Sequence, residues 1–220
     1  MERHDLYKSV HKGLRLSLFD AMWRLERTDF SDRAAALRTA EEVRQVFSLL
    51  AEHGAHEDRV ILPEIARVNP AVFSELRADH SRVDGLQHEL NGLLDRLADA
   101  TDAERRSFGE KIRLKFGRFL AEHMLHMERE ETSGNRVLWA HHSDESLRAM
   151  HGQILGAIAP DRMMEWAAIM IPALDPRESE ALLTALEAKM PPAMAGRLGE
   201  FRLQAGSGTA SVVEVLHGRA

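Results

Sequence analysis

Two stretches of this chain carry the same pattern, Leu-Ala-Glu-His-x-x-His, once at Leu50–His56 and again at Leu120–His126, 70 residues later. Each lies within a long run whose apolar residues recur at three- and four-residue intervals, the mark of a helix packed on one side. A helix turns about 100° per residue, so side chains three and four apart share a face. The first stretch therefore gathers His53, His56 and Glu57 on one face, and the second gathers His123, His126 and Glu130. Glu128 falls about 140° round from His123. Two such helices facing each other would form a nitrogen-and-oxygen pocket suited to iron or another transition metal.

The rest of the chain supplies helices to set against these two. Leu6, Val10, Leu14, Leu18 and Met22 mark a helix from about Asp5 to Arg27, closed by Thr28-Asp29-Phe30-Ser31. A second runs from Asp32 to Val68, where Pro63 is expected to kink it or end its regular part. Asn69-Pro70 reads as an N-cap followed by a first-position proline, opening a third helix to about Ala98. Thr101-Asp102-Ala103-Glu104 has the form of a capping box. It opens a fourth helix to about Glu131, where Thr132-Ser133-Gly134-Asn135 interrupts. Long helices with short connections predict an all-α chain built as an antiparallel four-helix bundle with additional C-terminal helices. Those helices span about Ser143–Ile158, Pro160–Ile171 and Asp175–Met190, with a last one after Pro191-Pro192. The expected division is a metal-binding bundle over 1–140, an extension packed on it over 141–205, and a flexible tail over 206–220.

Lone histidines stand at matching places in the first and third helices: His11 lies 42 residues before His53, and His80 lies 46 before His126. Glu57 and His80 are 23 residues apart, enough for the second helix to run out, turn at Asn69-Pro70 and return to the same depth. The expected ligand set is His11, His53, Glu57, His80, His126 and Glu130, with His123 as a fifth imidazole. These donors suit two iron ions bridged by Glu57, Glu130 and an oxo or hydroxo group. His4, two turns from His11 on the same face, is an alternative to it, and His56 is placed to orient a ligand from outside. Asp84 is a minor candidate ligand, and Glu64 reads as a bundle-end charge. His88, His141, His142, His151 and His217 are expected to be solvated. Methionines such as Met124 and Met127 are read as core filling, and Trp139 and Trp166 as packing anchors for the C-terminal helices.

Taken together, His11, His53-x-x-x-Glu57, His80 and His126-x-x-x-Glu130 resemble the His/His-x-x-x-Glu pattern of hemerythrin-like (HHE cation-binding) domains. Glu57-Asp58, Pro63 and Glu130-Glu131 are similar to what flanks that pattern in the family. The resemblance covers about residues 5–140. It implies a four-helix bundle with a non-haem di-iron centre, and roles spanning O2 binding, NO or redox sensing, iron handling and repair. Hemerythrins themselves place the last carboxylate five residues after a histidine, which here would join His123 to Glu128. Helical geometry favours His126 with Glu130 instead, while the repeat aligns His53 with His123, so the register of the fourth helix stays open.

Composition removes other classes. With no cysteine, disulfides, thiolate catalysis and iron–sulfur ligation are excluded. A formal charge of -6 argues against nucleic acid as a partner. No apolar run reaches the ~20 residues of a membrane span. The N-terminal residues lack a signal peptide's apolar stretch, which makes a cytoplasmic location the default. The leading expectation is a di-iron protein that binds or senses O2, NO or peroxide. A second is a di-iron oxidoreductase: an oxidase, a peroxidase or a repair enzyme, the last weakened because the cysteine-bearing segment of hemerythrin-like repair proteins has no counterpart here. A third is a regulatory module with a structural metal. In that reading the apolar segment Met163, Met164, Trp166, Ile169, Met170 and Ile171 would be a partner or homodimer surface if exposed.

Overall fold

The helix starts follow capping chemistry. The computed structural model describes residues 3–188 together with Gly196 and Gly199. α1 spans Lys8–Arg27. Asp32 accepts from the amides of Ala34 and Ala35 to open α2 (Arg33–His56), and α3 covers Leu62–Val68. Asn69 accepts from Val72 N ahead of Pro70 to open α4 (Pro70–Asp95), and Thr101 with Glu104 closes the capping box of α5 (Asp102–Arg129). α6 (Asn135–His141) follows, then α7 (Asp144–Gly156), capped by Ser143. α8 (Pro160–Met170) and α9 (Pro176–Glu187) come last, the latter behind a capping box of Asp175 and Glu178. Among the described residues the secondary structure is helical, without a strand. The helix expected after Pro191-Pro192, the end of its predecessor at Met190, His217 and the tail over 206–220 lie outside the described residues.

The two expected interruptions take a different form. α2 does not break at Pro63. Glu57–Ile61 form one π-helical turn, Leu62 N–H bonds to Glu57 O five residues back, and the helix runs on as α3. α5 does the same at Glu130–Gly134, with Asn135 N–H bonded to Glu130 O, and runs on as α6. Pro63 directly follows the π turn, inside a helix that continues on both sides of it. Single π turns inside α-helices recur at functional sites, and here each begins on a candidate ligand.

Two apolar clusters enclose these turns. Leu14 and Leu18 of α1, Val43 and Phe47 of α2, Leu86 and Leu90 of α4, and Ile112 and Phe116 of α5 share one core. Each such side chain contributes about 1.5–3 kcal/mol through burial. A second cluster joins Tyr7, Ile61, Leu76 and Leu138 to Leu147 and Met150 of α7. α8 lies on α1, where Gly13 allows close approach: a Cβ there would come within 3.1 Å of Met170. Its apolar residues are covered within the chain. Trp166 and Ile169 enter the main core, and Met164 and Ile171 pack with Leu183 and Leu186 of α9. Trp139 Nε1 donates to His4 O at 2.9 Å, tying α6 to the N-terminal segment. No described helix is long and apolar enough to cross a membrane.

Candidate metal centre

Between the two clusters lies a polar layer built from four helices: His11 of α1, His53 and Glu57 at the end of α2, His80 of α4, and His126 and Glu130 at the end of α5. All but the half-buried His53 are buried. They form two groups of four whose donor atoms lie within 4.8 Å of one another: His11, His53, Glu57, Glu130, and Glu57, His80, His126, Glu130. Both glutamates belong to both groups. His53 Nε2 is 3.0 Å from Glu57 Oε1, and His11 Nε2 is 3.4 Å from Glu130 Oε2. His80 Nε2 stands 3.6 Å from Glu57 Oε2 and 3.7 Å from Glu130 Oε1. His126 Nε2 is 3.3 Å from Glu130 Oε2.

His11 Nε2 and His53 Nε2 share a hydrogen bond at 3.0 Å, but the carboxylate oxygens are close to the imidazoles without being aligned as their acceptors. All four oxygens of Glu57 and Glu130, and His80 Nε2, are buried without a hydrogen bond. Leaving a buried polar group unpaired costs about 1–3 kcal/mol, and more for a charged one. A pair of cations shared between the glutamates would remove that cost, so the donor set fits such a pair.

The acid that follows each glutamate reaches across to the lone histidine of the other helix pair. Glu131 Oε1 accepts from His11 Nδ1 at 2.9 Å and is held by Arg15 at 2.8 Å. Asp58 Oδ1 accepts from His80 Nδ1 at 3.1 Å and is held by Arg77 at 2.8 Å. Each carboxylate fixes the proton on Nδ1 and turns Nε2 toward the layer, the arrangement that orients histidine ligands. Burial by itself would lower both imidazoles. The Glu131 hydrogen bond and the facing Glu57 carboxylate outweigh it and raise His11 to about 9, and the facing carboxylates of Glu130 and Glu57 raise His80 to about 10. Burial and the nearby Glu57 charge lift Glu130 to about 7. Glu57, against its burial, is held well below the ordinary carboxylate range by His53, His11 and His80. Without metal, then, protons on His11 and His80 offset the acids, and a metal must displace them.

The fourth-helix register is now visible: His126 and Glu130 meet the other four side chains, whereas Glu128 is exposed. His123 joins neither group. Its Nδ1 donates to Phe119 O at 3.1 Å, and burial lowers it to about 4, as it lowers His126 to about 3. His123 lies in the wall of a cavity of about 180 Å3 that reaches the layer between α2 and α4. His53, Glu57, His80 and His126 line it too; His11 and Glu130 do not. Asp84 is exposed at the cavity rim. His4 pairs with His151 at 3.2 Å and not with the layer. His151 and His142 are more enclosed than expected, the latter 3.6 Å from Glu64.

Sequence reasoning noted Asp58 and Glu131 only as flanking residues, and passed over Arg15 and Arg77. The available signal was position: one residue past each glutamate is about 100° round the helix, toward the neighbouring one. No protein-family model, curated protein or solved structure matches the chain.

Proposed function

We propose that this chain is a hemerythrin-like non-haem di-iron protein, its α1, α2, α4 and α5 forming an antiparallel four-helix bundle, that binds or senses a small oxidant such as O2, NO or peroxide. The observation that carries this reading is the pair of four-residue groups sharing both Glu57 and Glu130. Imidazole and carboxylate donors without thiolate suit iron among the transition metals. Iron bound there would supply the redox change that oxidant chemistry requires. Glu57 and Glu130 would offset the charge of both ions, His11 with His53 would hold one, and His80 with His126 the other. Glu131 and Asp58 keep the Nδ1 protons in place, and Leu14, Leu50, Val83 and Met127 supply the apolar part of a cavity wall that Asp58, Asp84 and Gln87 make polar elsewhere.

Anaerobic reconstitution with ferrous iron, followed by optical spectra on adding O2 or NO, tests this. About two irons per chain and new charge-transfer bands are expected; retention of less than one iron, or spectra that do not change, would overturn it. One observation favours a second reading as a di-iron oxidase or peroxidase: the cavity offers more room than a diatomic needs. Repeated turnover of peroxide would select that reading over reversible binding.

A further inference from the structure

The large apolar side chains left exposed among the described residues are Phe19 and Trp23 of α1 and Leu114 and Leu125 of α5, each more than half exposed. α1 and α5 pack antiparallel: Met22 lies against Gly117, Glu26 pairs with Arg113 at 3.3 Å, and Phe30 lies against Gly109. That register puts Phe19 level with Leu120 and Trp23 level with Phe116, so both rings stand beside the middle of α5. Exposed apolar side chains gathered in one place mark an interaction surface.

α5 has already committed its other faces. It turns Ile112, Phe116 and Phe119 to the core, Arg113 to α1 and Lys115 to Glu89 of α4. Its outward ridge is Lys111, Leu114, Arg118, Ala121, Leu125 and Glu128, all exposed. Steps along the ridge alternate between three and four residues, the spacing at which one helix forms a seam with another. Read backwards, the ridge is its own complement. Lys answers Glu at the ends, Leu answers Leu inside them, and at the centre the long Arg118 stem answers the small Ala121. Lys111, Arg118 and Glu128 form no salt bridge with another described residue. A ridge made for an acidic or a basic partner would carry one sign of charge. This one carries both, in mirror order, which suits a copy of itself across a two-fold axis.

We propose that the outer ridge of α5 is a two-fold interface between copies of this chain. The helices pair antiparallel, so that Leu114 meets the partner's Leu125, Arg118 covers the partner's Ala121 and Lys111 faces the partner's Glu128. Phe19 and Trp23 flank the seam at its middle. The inference does not depend on which metal, if any, the chain binds.

Sedimentation velocity of the full chain over the micromolar range tests it. A dimer is expected. Leu125→Glu should leave a monomer, since each copy then sets a carboxylate against the other's Leu114. Lys111→Glu should weaken the dimer by about tenfold, because both symmetry-related pairs turn from attraction to repulsion. Adding Glu128→Lys to that variant should bring the affinity back to within about threefold of the parent. The two positions are about 25 Å apart along one helix, so only a second copy can couple them. Helical circular dichroism and melting temperature should match the parent throughout, because the positions are exposed. A chain that stays monomeric, a dimer indifferent to Leu125→Glu, or a double variant no tighter than Lys111→Glu alone would overturn the inference.

Discussion

The α1–α2 pair and the α4–α5 pair present the same parts, a lone histidine, a His-x-x-x-Glu and an acid after the glutamate, but they treat solvent differently. The triad of His11, Glu131 and Arg15 is enclosed, with the imidazole wholly buried and the acid and guanidinium 28% and 27% exposed. The triad of His80, Asp58 and Arg77 lies at the surface, its acid and guanidinium 44% and 46% exposed. The cavity between α2 and α4 opens beside the second triad, lined by His80 and Asp58 and also by His53, but not by His11. Identical donors thus acquire different work from their surroundings: the His11 position is a protected anchor, and the His80 position is where an outside molecule can arrive.

The largest expected effect removes what the two halves share. Glu57→Ala should abolish binding of both ions together, read as metal per chain after dialysis, because each four-residue group needs that carboxylate. Retention of one ion would mean the groups are independent. The next effect separates the halves. Glu131→Gln should weaken metal binding by about 10–100-fold, the usual scale for an orienting partner. Asp58→Asn should weaken it less than about tenfold, since solvent screens the exposed acid. Competition with a chelator measures both, and the reverse order would break the comparison.

The protonation pattern gives a third test, on metal-free protein. His123 and His126, lowered from 6.5 to about 4 and about 3, take up protons more readily when unfolded, so their contribution grows as pH rises toward 6.5. His11 and His80, raised to about 9 and about 10, contribute fully below 6.5 and lose that contribution as pH climbs through those values. Glu130, raised from 4.5 to about 7, opposes the first pair without cancelling it. Thermal melts should therefore show a maximum near pH 6.5, and a melting temperature still rising at pH 9 would contradict the assignment. The stabilisation added by metal should instead increase with pH, because the ions displace the protons on His11 and His80.

Much of this was legible in the sequence, and the part that was not has physical causes. The i, i+4 spacing of His53 with Glu57 and of His126 with Glu130 is fixed by helix geometry. The repeat of Leu-Ala-Glu-His-x-x-His, however, misleads by three residues. It pairs His53 with His123 at an offset of 70, while the structure matches His53 to His126, Glu57 to Glu130 and one π turn to the other at an offset of 73. Under that match His123 corresponds to Leu50, a cavity wall residue. The π turns were invisible because Pro63 and the Thr132–Asn135 stretch look like helix breakers. Asp58 and Glu131 act between helices, which one helix's periodicity does not report.

The smallest expected effect concerns those turns. Only the first is followed by a proline, Pro63; the second forms ahead of Asn135 and Arg136. Pro63→Ala should change stability by less than about 1 kcal/mol and leave metal content unchanged, measured by denaturant unfolding and metal analysis. A loss of metal would mean that the proline positions Glu57.

Anomalous diffraction from crystals of the iron-loaded protein tests the central claim most directly. Two peaks about 3.5–4 Å apart, both between Glu57 and Glu130, are predicted. A single peak, or iron bound away from these two carboxylates, would contradict it.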